Sequence, residues 1–270
     1  MSFMEYMQIP LFQRGMIAAV VTGATLPLLG VVIATLNLTV IRFALMHAGL
    51  LGAAIGLSLG MPPLTGALTT IGLGSLLLGP WSDRMKVDTG LTGAFFMTGT
   101  MAVAFLLFYK AGVPAMEAFA LFTGSLLTVT PREVWFVAAL GAIIVVCFTL
   151  FYREVQLVLY NYELAESLGV PVGVIRNSLL FLTGLAIGLA IRVVGALLID
   201  GLILLPGLSA LSLARDLRSA LLLSALFGVG SAVGGFTLSL FFDVPTGPTI
   251  TLVGVVILAV ITAVKGRLYG

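Results

Sequence analysis

The chain has 270 residues, 60% of them hydrophobic and only 9% Asp, Glu, Lys or Arg, where a soluble domain carries roughly a quarter charged residues. A mean hydropathy of +1.21 leaves too little polar surface to wrap a soluble core, which excludes a soluble enzyme, a nucleic-acid binder and a disulfide-stapled secreted domain. The net charge of +2 implies no polyanionic partner, and Cys147, the single cysteine, allows no internal disulfide. These numbers predict an all-α polytopic membrane protein lying in the lipid bilayer for nearly its whole length.

The opening stretch MSFMEYMQIPLFQRG lacks a basic n-region and a small-residue cleavage site, so the first helix is expected to remain in the mature protein. A bilayer crossing needs about 20 apolar helical residues. Runs of that kind lie at 15–36, 43–60, 63–80, 90–109, 133–152, 173–191, 193–213, 219–241 and 247–265, which predicts eight or nine crossings in one transmembrane domain over 1–270. A further apolar stretch, 117–130, is short, contains Gly124, Ser125 and Thr128, and reads as re-entrant or interfacial. Met61, Pro62 and Pro63 between the second and third runs predict a tight hairpin.

Lys and Arg in the connections set the orientation. With residue 42 at the cytoplasmic side and all nine runs crossing, the inside holds Arg42, Arg84, Lys86, Arg153, Arg176, Arg215, Arg218, Lys265 and Arg267, and the outside only Arg14, Lys110, Arg132 and Arg192. That bias favours an inside C-terminus. The longest polar connection, REVQLVLYNYELAESLGVPV at 153–172, then faces the cytoplasm, with room for one short helix containing Glu163 and Glu166 and ended by Gly169 and Pro171. On pattern alone it is either a contact segment or a linker. Glycines at i+4 spacing (Gly52, Gly56 and Gly60; Gly184 and Gly188; Gly230 and Gly234) predict close helix packing in lipid, within one subunit or across a dimer.

No phosphate-binding G-x-x-x-x-G-K-[ST] loop is present, so nucleotide hydrolysis by this chain is not expected, and no Cys or His pair has a metalloenzyme spacing. Function is expected in a path through the membrane. Ionisable groups inside apolar runs cost several kcal/mol unless they face a cavity or a partner. Two stand out: His47, the single histidine, in RFALMHAGLLGAAIG, and Asp200 in RVVGALLIDGLILLPG. His47 is either a buried hydrogen-bonded histidine or a ligand, and Asp200 either an ion-pair partner of Arg192 or another helix or a group that handles a cation or proton. Pro206 lacks the N–H that the carbonyl one turn earlier would receive. An imidazole, a carboxylate and freed carbonyls suit a divalent cation of the Mn, Fe or Zn type, and the alternative is a packing kink.

The stretches LMHAGLLGAAIGLSLG at 45–60, KVDTGLTGAFF at 86–96, LFTGSLLTVT at 121–130, LAESLGVPV at 164–172, VVGALLIDGLILLPGLSA at 193–210, RDLRSALLLSALFGVGSAVGG at 215–235 and DVPTGPTITLVG at 243–254 occur in an order and spacing that resemble the permease subunits of the zinc/manganese/iron ABC importers, the ZnuB-like family. The resemblance implies a homodimer of permeases in a prokaryotic plasma membrane, each docked to a separate ATPase subunit and fed by an extracytoplasmic metal-binding protein. The divalent metal cation is then the transported substrate, with no tightly bound cofactor. It further implies that 161–170 is a coupling helix, whose partner-contact residues would be Glu163, Leu164, Glu166, Ser167, Leu168 and Gly169, and that the second and seventh runs hold the ion.

One departure is visible. The family commonly shows Asp-Ala-Leu-Ser-His on its second run, whereas this chain reads Phe43-Ala44-Leu45-Met46-His47. The expectation is that Asp200 supplies the carboxylate that Phe43 cannot, so that His47 and Asp200 meet the metal. The alternatives are a chelated metal or another small ligand, or a cation carrier that needs no ATPase. Ligation by His47 requires a neutral ring, so uptake is expected to weaken below about pH 6.

Overall fold

In the computed structural model, residues 8–85, 89–112, 126 and 129–269 are described, and every regular element among them is a helix. In chain order these are α1 (Pro10–Thr35), α2 (Thr39–Ser58), α3 (Pro63–Met85), α4 (Thr89–Lys110), α5 (Pro131–Leu150), α6 (Tyr152–Tyr160), α7 (Tyr162–Ser167), α8 (Val172–Val194), α9 (Ala196–Leu213), α10 (Leu217–Phe242) and α11 (Thr246–Tyr269). Eight of them are long and apolar enough to cross a bilayer. The ninth predicted run falls in α9, whose apolar stretch Leu198–Leu213 reaches only about 24 Å at 1.5 Å per residue, short of the roughly 30 Å hydrocarbon core. Three expectations lie outside the described residues: the 117–130 segment apart from 126, 129 and 130, Lys86 with the start of the 86–96 stretch, and the side chain of Arg192.

The helices segregate into two units. One comprises residues 35–122 and 150–192, the other residues 1–34, 123–149 and 193–270. In the first, α2 packs against α3 and α4. Leu50 and Ala54 of α2 form a buried cluster with Ala104 and Phe108 of α4. On the α3 side, Gly52 and Gly66 press backbone to backbone, each where a Cβ would run into the other's carbonyl. Gly184 and Gly188 of α8 seat against Ser75, Leu68 and Ile71 of α3. The predicted hairpin forms at Leu59–Pro62, with Gly60 at φ +68.

In the second unit α9, α10 and α11 pack on one another. α1 crosses α9 where Gly30 meets the Ile203 carbonyl, and crosses α10 where Gly23 meets the Gly228 carbonyl. Lipid tails are as apolar as leucine, so helices associate in a bilayer through close approach rather than through the hydrophobic effect, and glycine at each crossing permits it.

Two of the glycine readings change. On α10 the tight approaches are made by Gly228, against Gly23 and Pro27, and by Gly235, against Ile250, whereas a side chain at Gly230 would meet open space. Positions seven apart return to one face of a 3.6-residue helix more closely than positions four apart. Gly60 likewise packs against nothing and serves the turn.

The chain break near the predicted kink also moves. α9 runs unbroken through Pro206, and the interruption falls at Gly195, the single residue between α8 and α9, with φ 85 and ψ 152. L side chains avoid that conformation and glycine adopts it freely. A proline inside a membrane helix is tolerated where neighbouring groups compensate, so the residue with the odd dihedrals, not the proline, ends α8.

Candidate functional site

His47 lies mid-way along α2, part-buried, with Nδ1 2.8 Å from the Phe43 carbonyl one turn earlier. A carbonyl only accepts, so Nδ1 carries the hydrogen and donates it, which in the neutral form of a histidine leaves the lone pair on Nε2. Metal-ligating histidines are commonly oriented through such a bond from the other ring nitrogen. The rest of the helix contributes no carboxylate: Thr39–Ser58 contains neither Asp nor Glu. Phe43 occupies the place where the resemblance expects aspartate, and the guanidinium of Arg42 lies 4.3 Å from its ring centroid. Arg42, counted among the loop charges in the sequence reading, is fully buried in the first turn of α2. Met46, where serine was expected, is buried as well.

Asp200 is the fifth residue of α9, part-exposed, in the half of the helix that begins at Gly195. Its neighbour Gly201 abuts Thr251 of α11, where a Cβ would stand 2.7 Å from Oγ1, so the backbone beside the carboxylate is pressed against a second helix. Pro206 offers no N–H to the Leu202 carbonyl of the same helix. His47 and Asp200 fall in different units. Among the described residues no three His, Cys, Asp or Glu side chains gather where they could hold a metal ion.

The predicted contact segment is a helix. Asn161 caps α7, its side-chain oxygen accepting the Leu164 N–H at 2.9 Å. At the other end Gly169, at φ +80, donates to the Glu166 carbonyl and Val170 donates to that of Ala165, the paired bonds of a Schellman motif. Ala165 is the buried face, clustered with Val158 and Val172. Glu163, Leu164, Glu166, Ser167, Leu168 and Gly169 are all exposed, and Tyr160 and Tyr162 extend the same surface. Six residues thus hold their shape through two caps and a single alanine anchor, presenting two carboxylates and two leucines outward.

Sequence reasoning passed over Thr70 on α3, whose hydroxyl lies 2.7 Å from the Ala48 carbonyl of α2. A threonine in an apolar run looks like the others here, such as Thr22 and Thr183, which bond back into their own helix. The available signal was its register with Gly66, one turn away on α3, which brings the α2 backbone within reach.

Among the described residues every regular element is a helix, and eight of the helices are of membrane-crossing length, the pattern of a polytopic membrane protein. The sequence matches the ABC 3 transport family over residues 8–265, and the chain belongs to that family. It is 27% identical over 241 residues to the manganese transport system membrane protein MntC of Halalkalibacterium halodurans, covering 89% of this chain and 82% of that protein. It is 26% identical to MntC of Listeria monocytogenes, covering 95% and 92%. With the chelated iron transport system membrane protein YfeD of Yersinia pestis the identity is 24%, covering 90% and 82%. The fold superposes on a chain of PsaBC from Streptococcus pneumoniae, solved in complex with Fab, with a TM-score of 0.84 at 23% identity, covering 96% of this chain and 94% of that one.

Proposed function

We propose that this chain is the single-domain, membrane-spanning subunit of an ATP-driven importer that moves a divalent transition-metal cation, with manganese and iron foremost, from an extracytoplasmic binding protein into the cytoplasm. Two copies form the path, and a separate ATPase subunit on each copy hydrolyses the nucleotide. The observation that carries this reading is His47, with Nδ1 committed to the Phe43 carbonyl and Nε2 left to accept a metal. His47 and Asp200 each meet the cation, the aspartate supplying the negative charge that Phe43 lacks. α7 docks to the ATPase through Glu163, Leu164, Glu166, Ser167, Leu168 and Gly169. Support comes from the names of the manganese and iron relatives and from the exposed, rigidly capped form of α7.

The test is uptake into proteoliposomes that contain this chain, its ATPase and its binding protein, with total manganese, iron and zinc counted with and without ATP. His47→Gln is expected to lower uptake at limiting metal at least about tenfold, the equivalent of 1.4 kcal/mol in binding, and Asp200→Asn to lower it as well. Normal transport by Asp200→Asn, with unchanged metal preference, would remove the aspartate from the reading. A second reading, a chelated metal as cargo, is favoured by Phe43 under the Arg42 guanidinium, which puts an aromatic face and a cation where a carboxylate was expected. ATP-driven uptake confined to metal offered as a chelate would select it.

A further inference from the structure

Thr70 does what few hydroxyls in these spans do. Thr22, Thr25, Ser209 and Ser231 each donate to a carbonyl of their own helix three or four residues back. Thr70 has that option too, with the Gly66 and Ala67 carbonyls each at 3.1 Å, but its nearest acceptor is the Ala48 carbonyl of α2 at 2.7 Å. A hydroxyl has one proton to donate, and the shortest contact takes it across to the neighbouring helix. The bond exists because Gly52 and Gly66 bring the two backbones together there: a Cβ on Gly52 would collide with both the Gly66 carbonyl and Thr70 Oγ1.

Ala48 is the residue after His47. The ring of His47 is tied through Nδ1 to Phe43 on the near side, and the backbone on its far side is tied through Ala48 to α3. Gly49, the next residue, lies against Ile71, where a Cβ would stand 2.7 Å from Cδ1. The α2 turn that carries the imidazole is therefore fixed at both ends, and the second tie comes from another helix.

We infer that Thr70 is a positioning residue for the cation path: its hydroxyl clamps α2 at Ala48 and so sets where His47 Nε2 stands. The inference rests on the reading that His47 meets the transported cation. Groups that orient a metal ligand without touching the metal commonly cost 10–100-fold in affinity when removed. Thr70 acts through the backbone, so the lower end is expected.

The experiment uses the complete transporter, with ATPase and binding protein, in proteoliposomes supplied with manganese. Thr70→Val keeps the shape and removes the donor, and Thr70→Ser keeps the donor. Thr70→Val is expected to raise the apparent KM for manganese about tenfold while the maximal rate stays within about twofold of the native chain, and Thr70→Ser is expected to restore the native KM. In a His47→Gln background Thr70→Val should add nothing further, because the ligand it positions is gone. A native KM for Thr70→Val, equal impairment of the Ser and Val variants, or a loss confined to the maximal rate would overturn the inference and leave Thr70 as packing. If His47→Gln itself transports manganese with native KM, the reading of His47 fails first and the inference falls with it. Should Thr70→Val not accumulate in the membrane, Thr70→Cys is read the same way, since a thiol is a weak donor in much the same volume.

Discussion

α2 and α7 belong to one unit and carry the two surfaces proposed for cargo and partner, yet they are held in opposite ways. α2 has no side-chain cap at its N-terminus, and its place is set along its length by glycine contacts with α3 and an apolar cluster with α4. α7 has almost no packing beyond Ala165 and is set at its ends, by Asn161 and by the turn at Gly169. The difference follows from the solvent. Inside a bilayer the backbone already satisfies itself in a helix and association depends on how closely helices approach. In water a helix of six residues cannot stand on propensity alone, and satisfying its terminal groups decides whether it exists.

The largest expected effect breaks the α2 side of this contrast. Gly52→Val places atoms where the Gly66 carbonyl and Thr70 Oγ1 already stand, and the obstacle is largely backbone that cannot rotate away. We expect a loss at or above the upper end of the ~1–3 kcal/mol that overpacking costs, seen as a collapse in the yield of monodisperse protein by size-exclusion chromatography. Gly72→Ala on α3, where a Cβ would meet nothing within 4 Å, is the control, and replacing glycine there should be neutral or stabilising by up to about 1 kcal/mol. Equal damage from both substitutions would show that helix flexibility, not close approach, is what the glycines provide.

The same contrast explains what could be read from the residues. Crossings, the Met61–Pro63 hairpin and the α7 segment were legible, because runs of about 20 apolar residues and Gly/Pro punctuation are local signals. His47 stood out for a local reason too, as the single histidine and an ionisable group inside an apolar run. Partner choice between helices was not legible. Nothing in the spacing of α10 separates Gly228, which presses on α1, from Gly230, which meets open space. Arg42 counted as a loop charge because it borders an apolar run, whereas its guanidinium lies over Phe43 inside the fold. Thr70 was passed over because its acceptor lies 22 residues away in sequence, and its register with Gly66 was the one local sign of it. The break at Gly195 was masked by the more conspicuous Pro206, since a glycine declares a dihedral only once the chain around it is built.

On the α7 side the expected effects are smaller and fall on coupling rather than on folding. Gly169 sits at φ +80, and Gly169→Ala forces a Cβ into that conformation at about 1–2 kcal/mol. Asn161→Ala removes the acceptor for the Leu164 N–H, worth about 1 kcal/mol. Neither change touches the spans, so yield and thermal stability of the membrane domain should stay near native. Frayed α7 should bind the ATPase less tightly, read as a weaker pull-down of that subunit and a several-fold drop in transport-coupled ATP hydrolysis. An undiminished complex with both changes combined would mean that α7 is a linker, and that the contrast between packed and capped contact surfaces has only one functional member.

The smallest effect tests whether capping here relies on charge. Asp216 begins α10 as Asn161 begins α7, but with a carboxylate: it accepts the Ser219 N–H at 2.7 Å, while Ser219 Oγ accepts the Asp216 N–H at 3.2 Å. The Ser219 backbone bond, then its side-chain bond and the Arg218 charge, hold the Asp216 carboxyl below its ordinary value of 3.8. A carboxyl lowered by folding stabilises the folded state above its unfolded value and loses that contribution as pH falls through the folded one. The native chain should therefore lose this part of its stability only at acid pH, below about 4. Asp216→Asn keeps an acceptor at the cap without a titrating charge. The difference in melting temperature between the two proteins in detergent, followed from pH 6 to pH 3, should be constant down to about pH 4 and then shift in favour of the asparagine variant. A difference that stays constant over the whole range would mean that the Asp216 cap works by geometry alone, as the neutral Asn161 cap does.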